Sequence, residues 1–229
     1  EFKYCTNSPN HVPPTTTISI KWLPPTHLSL KLNIDGSFKG KYKKGGIGGI
    51  FRNSRGDWIL GYLNSAIAYT PAYMELLALK TGLQLALDKT FVNLEIETDA
   101  TYVISLLNND TCSIYSNLVT ECRSLLKKLQ NSPIQHNFRE GNKVAHFLAT
   151  QGSKQANSTA LYLMEQPPNS LLKVIHEDKI GCTKRRTIST AIVTNLVELG
   201  NPFVTCTTDV DNMVAEPMNE PNGTLYLCN

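Results

Sequence analysis

Residues 30–37 alternate in character: Leu30, Leu32 and Ile34 fall on one face, and Asp35 marks the exit of a half-buried strand. A second alternating run, Leu94-Glu95-Ile96-Glu97-Thr98-Asp99, predicts another strand ending at Asp99, just before Ala100-Thr101-Tyr102-Val103-Ile104 opens a helix. Between them the spacing turns helical over 71–89, where Thr70 can cap and Pro71 suits the first helical position. An apolar-rich run predicts a further helix over 114–130, and Ile134, His136 and Phe138 alternate as a short strand. The run Gly45-Gly46-Ile47-Gly48-Gly49-Ile50-Phe51 reads as a strand with few side chains, so another backbone or a nucleic acid can approach it closely. No Gly-Lys-Ser/Thr ending follows, so it is not a phosphate-cradling loop.

This pattern puts three acids, Asp35, Glu75 and Asp99, at the edge of one sheet. Singly, each has an ordinary reading. Asp35-Gly36 is a turn signal, Glu75 suits the dipole of an early helical turn, and Asp99 can cap the helix that follows. Helical spacing, however, sets Glu75 on the stripe of Leu79, Gly82 and Ala86, the face expected to pack on the sheet. A carboxylate there needs a partner or a metal. Three converging acids suit hard divalent cations, and two such ions about 4 Å apart are the apparatus of phosphodiester hydrolysis.

The order strand, strand, strand, helix, strand, helices, strand, helix carries Asp35-Gly36-Ser37, Glu75-Leu76-Leu77-Ala78, Glu97-Thr98-Asp99 and His136-x-x-Arg139-Glu140-x-Asn142-x-x-Ala145. In this it resembles a type 1 ribonuclease H domain, most closely the reverse-transcriptase-associated version of plant retroelements. The lead-in Lys21-Trp22-Leu23-Pro24-Pro25 is similar to that group, and the resemblance covers roughly residues 21–155. It implies an α/β ribonuclease H-like fold: a mixed five-stranded sheet, its first three strands antiparallel, flanked by helices. It also implies endonucleolytic cleavage of the RNA strand of RNA·DNA hybrids, with Mg²⁺, or Mn²⁺ as a substitute, bound by Asp35, Glu75 and Asp99, leaving a 3′-hydroxyl and a 5′-phosphate.

The chain departs from the family pattern at two points. A fourth acid usually follows the Asn-x-x-Ala element, and here His146 stands in that slot. A neutral imidazole brings no negative charge and suits Mn²⁺ better than Mg²⁺. His146 is thus either a weaker ligand or a side chain packed beside Phe147 at a decayed site. Many ribonucleases H also carry a mobile histidine on a longer loop before the last helix, whereas Arg139-Glu140-Gly141-Asn142 leaves little room for one. His136 alternates with apolar neighbours and reads as structural. These departures keep a second reading open, a catalytically impaired nucleic-acid-binding module on the same fold. By resemblance, Asn53, Ser65 and Tyr69 are further hybrid contacts.

Charge sharpens this picture. The net charge of +3 divides into +5 over 28–155, −3 over 156–229 and +1 in the leader, so the basic excess lies on the presumed catalytic domain and suits a polyanion. The densest run supplies Lys39, Lys41, Lys43 and Lys44, expected to grip phosphates next to Asp35, or else simply to solvate a hairpin tip. Three regions are expected: a proline-rich leader or linker over 1–27, the ribonuclease H-like domain over 28–155, and a partly disordered extension over 156–229 with one short helix near Ser170–His176. Weak order is expected beyond Thr187, where there is no Lys or Arg. The six cysteines show no metal-binding spacing and are expected to be reduced. No apolar stretch approaches the roughly 20 residues a membrane-spanning helix needs, so no membrane partner is expected and the compartment is read as intracellular, nucleus or cytoplasm. The chain begins with Glu1 and not Met, which fits a piece of a larger reverse-transcriptase polyprotein; a monomer is expected.

Overall fold

A computed structural model of the chain describes residues 13–40, 43–109, 113–155 and 160–204. The strands are β1 (Thr15–Ile20), β2 (Leu30–Lys39), β3 (Lys44–Arg52), β4 (Trp58–Ile67), β5 (Leu94–Thr98), β6 (Ile134–His136), β7 (Tyr162–Met164) and β8 (Lys184–Ser189). The helices are α1 (Pro71–Asp88), α2 (Thr101–Asn108), α3 (Ser116–Lys128), α4 (Lys143–Gly152), α5 (Leu172–Lys179) and α6 (Val193–Glu198). Thr70 Oγ1 accepts from the Tyr73 amide at 3.1 Å and Pro71 opens α1, as the local sequence predicts.

The main sheet is mixed, in the order β6-β5-β2-β3-β4-β7. β2, β3 and β4 run antiparallel in sequence, while β5 lies parallel to β2 and β6 parallel to β5. The sheet therefore has six strands rather than the expected five. The sixth, β7, comes from the segment beyond residue 155 and pairs Leu163 with Tyr62 on β4. It is short, and three exposed or half-exposed residues gave the sequence no periodicity to read.

Helices α1, α2 and α3 cover one face, enclosing the main core of Leu32, Ile34, Met74, Leu79, Leu83, Ile96, Val103 and Cys122. α4 lies against the other face. Gly46 and Gly48 permit this contact, because a Cβ on either would stand 2.1–2.2 Å from backbone atoms of Ala149 and Ser153. Of the two approaches open to the glycine strand, a protein backbone takes these positions.

Leader and tail are also more structured than expected. β1 pairs antiparallel with β8 along its whole length, and Ile20 joins Phe138, Ile188, Leu196 and Val204 in a separate apolar cluster. Residues 187–204, expected to be weakly ordered, contain the end of β8 and α6, because their apolar residues complete that cluster; residues 205–229 lie outside the described residues. α5 is keyed into the domain by Asp178, which accepts from Arg52 Nη1 at 2.6 Å beneath the Trp22 ring. Burial lowers the Arg52 pKa and raises that of Asp178, so neither charge is stable there without the other. Cys122 is a buried free thiol whose pKa burial pushes up to about 12, whereas Cys182 is disulfide-bonded, unlike the fully reduced set expected.

Candidate active site

β2 and β5 pair in register from Leu30–Leu94 to Asn33–Glu97 and then part. Asp35 and Asp99 each lie two residues beyond that last pair, so they project on the same face of neighbouring strands, in the crevice where a parallel pair opens. β2 itself continues to Lys39, so Asp35 lies within the strand rather than at its exit; pairing with Gly48 of β3 carries it on. Asp99 does not cap α2. Thr98 Oγ1 accepts from the Ala100 amide at 3.1 Å instead, leaving the Asp99 carboxylate for the crevice.

Glu75 reaches the same point from α1. The approach depends on Gly36: a Cβ there would stand 2.5 Å from the Glu75 nitrogen and the Met74 carbonyl carbon. With no side chain in the way, α1 lies directly on β2. Ligand oxygens of Asp35, Glu75 and Asp99 all fall within 4.8 Å of one another.

These three acids are poorly satisfied by the protein alone. Asp35 and Glu75 are buried, and Glu75 Oε2 has no hydrogen-bond partner. Burial first, then the charges of Asp35 and Asp99, holds the Glu75 carboxyl well above the usual carboxylate range. Burial and then Asp35 push Asp99 up to about 6. An orphaned buried oxygen among like charges fits a divalent cation, whose positive charge would remove both penalties. These residues therefore suit the metal that their pattern implies.

His146 on α4 meets the cluster: its Nδ1 lies 3.3 Å from Asp35 Oδ2, with the ring 38% exposed and Asp35 2% exposed. The imidazole is thus at the rim of the site, not packed away. Arg139, which the sequence placed in a motif without a site role, holds its Nε 3.6 Å from Asp99 Oδ2. Its position immediately after the His136 strand was the available signal. Tyr102 on α2 was also missed; burial and then the Glu75 and Asp99 charges push its hydroxyl pKa up.

Other expected residues lie apart from the carboxylates. Lys39 and Lys44 pair at the far end of the β2–β3 hairpin, four residues from Asp35 and so roughly 13 Å along the strand. Together with exposed Lys43 they are too distant to contact a phosphate held at Asp35; Lys41 lies outside the described residues. Asn53 accepts from the Arg55 and Asp57 amides and so closes the β3–β4 turn. Ser65 lies on β4, and Tyr69 is exposed and stacks edge-on against Tyr73. His136 is buried, its Nδ1 2.8 Å from Asn201 Nδ2, and burial followed by Arg186 lowers its pKa to about 4. It is a structural histidine.

A mixed sheet of this order, with α1 pressed on β2 and three acids in the parting of β2 and β5, defines a ribonuclease H-type domain. Residues 33–152 match the family described as reverse transcriptase-like, and because this span exceeds half the chain, the protein belongs to that family. It is 26% identical over 171 residues to a provisionally named ribonuclease H protein of Arabidopsis thaliana; the match takes in 74% of this chain and about a quarter, 27%, of that relative's length. The fold is also that of RNase H1 from Halobacterium salinarum, at 22% identity and a TM-score of 0.51 over 56% of this chain and 99% of the other. LC11-RNase H1 in complex with an RNA/DNA hybrid aligns over 57% of this chain and 100% of its own, at 16% identity and a TM-score of 0.50. A foamy viral protease-reverse transcriptase, also solved with an RNA/DNA hybrid, matches at 19% identity and a TM-score of 0.50, covering 58% of this chain and 21% of that one. No helix among the described residues is long and apolar enough to cross a membrane.

Proposed function

We propose that this protein is an endonuclease that hydrolyses the RNA strand of RNA·DNA hybrids, with Asp35, Glu75 and Asp99 as the residues that hold two divalent cations. The observation that carries this reading is the convergence of three carboxylates around an unpartnered, buried Glu75 oxygen. Mg²⁺ bound there would supply positive charge to the attacking and leaving oxygens. The chain's own residues keep the acids within reach of one cation pair and hold α1 against β2 through Gly36. Arg139, 63% exposed beside Asp99, is free to swing toward a phosphate at the rim, where the longer histidine loop of related enzymes is absent. Lys39, Lys43 and Lys44 serve the hybrid farther along the β2–β3 hairpin as salt-sensitive phosphate contacts, and Lys41 is assigned the same role from its place in the sequence run.

His146 favours the second reading, a binding module with reduced turnover. It replaces the expected fourth acid with a group 3.3 Å from Asp35, subtracting negative charge from the metal-binding set. Imidazole suits Mn²⁺ better than Mg²⁺, so Mn²⁺ is the better substitute cofactor in this protein. The foamy viral neighbour, a protease-reverse transcriptase, supports a role for this chain as one domain of a longer polyprotein.

The test is cleavage of an end-labelled RNA·DNA hybrid in Mg²⁺ and in Mn²⁺, beside duplex DNA and the Asp35→Asn variant. Hybrid-specific cutting abolished by Asp35→Asn is expected. Hybrid binding with no cutting in either metal would replace the enzyme reading with the binding module.

A further inference from the structure

Next to the carboxylates, the outer face of α4 and the start of α5 enclose an open trough of about 600 Å³. Lys143, His146, Phe147 and Thr150 line its floor at helical spacing, Lys154 lies just past the end of α4, and Val174 over the buried Leu171 forms an apolar wall. The wall lies beyond the family match at 33–152, so it belongs to the extension and not to the shared domain. His146 joins the trough to the site, since the same ring stands 3.3 Å from Asp35. A second hollow of about 430 Å³ continues past Asp99 and shares Arg139 and Arg186 with the first.

Charge and lining chemistry limit the occupant. Arg139, Lys143, Lys154 and Arg186 border the trough; Glu140 in its lining accepts from Arg186 Nη1 at 2.9 and 3.1 Å, Arg139 lies 3.6 Å from Asp99, and Lys143 has Glu177 at 4.0 Å. A cationic border draws a polyanion. Paired bases have no use for the half-buried Phe147 ring in the floor, whereas an unpaired base stacks on such a ring. At 1.5 Å per residue α4 is about 15 Å long, which matches roughly four stacked nucleotides at 3.4 Å each. His146, 3.3 Å from Asp35, is the edge that the carboxylate site and the trough share.

We propose that the trough holds a single-stranded continuation of the RNA strand, so that the protein favours hybrids with an RNA overhang; this rests on the hybrid-cleaving reading above. The experiment measures binding of the full chain in EDTA, which prevents cutting, to a blunt hybrid, to the same hybrid with an RNA overhang of about five nucleotides at either end, and to one with a DNA overhang. An RNA overhang at one end is expected to tighten binding about tenfold. Thr150→Glu and Lys154→Glu should each reduce that gain below threefold, with blunt-hybrid affinity and melting temperature unchanged. Equal affinity for blunt and RNA-extended hybrids, an equal gain from a DNA overhang, or a gain untouched by both variants overturns the proposal. Cleavage of the blunt hybrid in Mn²⁺ separates the two readings. A protein that cuts but ignores the overhang loses only the trough, and one that cannot cut but grips single-stranded RNA through Thr150 and Lys154 loses only the activity.

Discussion

On β2 and β5, Asn33 and Glu97 lie opposite each other, and Asp35 and Asp99 follow two residues later on the same face, yet the two pairs of polar residues are treated in opposite ways. Glu97 accepts from Lys31 Nζ at 2.5 Å, from Asn33 Nδ2 at 2.9 Å and from Asn137 Nδ2 at 2.8 Å. Asn33 Oδ1 in turn accepts from Trp22 and from Arg52, whose other nitrogen is held by Asp178. Two cations face two buried anions, and the partly exposed Glu95 adds a third carboxylate 3.7 Å from Lys31. One step along the strands, three acids meet with His146 and Arg139 only at the rim and one Glu75 oxygen unpartnered. The first cluster is charge-paired as folded, with only Arg52 Nε and Asn137 Oδ1 left without a hydrogen-bond partner, and serves the architecture. The second is left incomplete, at a cost in stability that a bound cation would offset.

Glu75→Gln separates the clusters most sharply. It should reduce metal-dependent hybrid cleavage by about a thousandfold, equivalent to roughly 4 kcal/mol of transition-state stabilisation, while raising the melting temperature in EDTA because a buried group that must either carry charge beside Asp35 and Asp99 or take up a proton is gone. A lower melting temperature would mean that the acids are already satisfied. Glu97→Ala should do the reverse. It leaves Lys31 buried without its main partner, so calorimetry should register a loss of about 3–5 kcal/mol, with or without divalent metal.

The third contrast is in pH. Asp99 titrates at about 6 in the folded protein against its ordinary 3.8, so folding takes up a proton between those values and stability falls as pH rises through that window. In EDTA the parent should lose about 2 kcal/mol more than Asp99→Asn between pH 4 and pH 7. Saturating Mn²⁺ should reverse the trend. Using the difference between parent and variant cancels His136, whose depressed pKa of about 4 makes stability fall in the opposite direction, as pH drops below 6.5. Smallest is His146→Asp: restoring a fourth acid should raise the Mg²⁺-supported rate about tenfold, or roughly 1.4 kcal/mol, and narrow the gap between Mg²⁺ and Mn²⁺. An unchanged metal preference would remove His146 from the ligand set.

Much of the carboxylate site could be read before folding because each acid lies in a strongly patterned segment. Period-two alternation marked β2 and β5, and Thr70-Pro71 marked the start of α1 with Glu75 on its packed stripe. The lysine run looked adjacent to Asp35 because it is near in sequence, but an extended strand rises about 3.4 Å per residue and takes it away. Asn53, a hybrid contact by resemblance, also has a local role that the resemblance does not carry, since its side chain bonds its own turn.

Local periodicity and capping chemistry thus gave the elements, their order and the three acids, since those signals are contained within a few residues. Long-range packing had to supply what no single segment encodes: β1 paired to β8 across the domain, a sixth strand from the extension, the charge-paired Lys31–Glu97 cluster, and His146 at the rim of the acids. Each of these joins residues more than 60 positions apart. Such contacts form because apolar surfaces and buried charges find complements in the assembled core, a property of the whole fold rather than of any window of sequence.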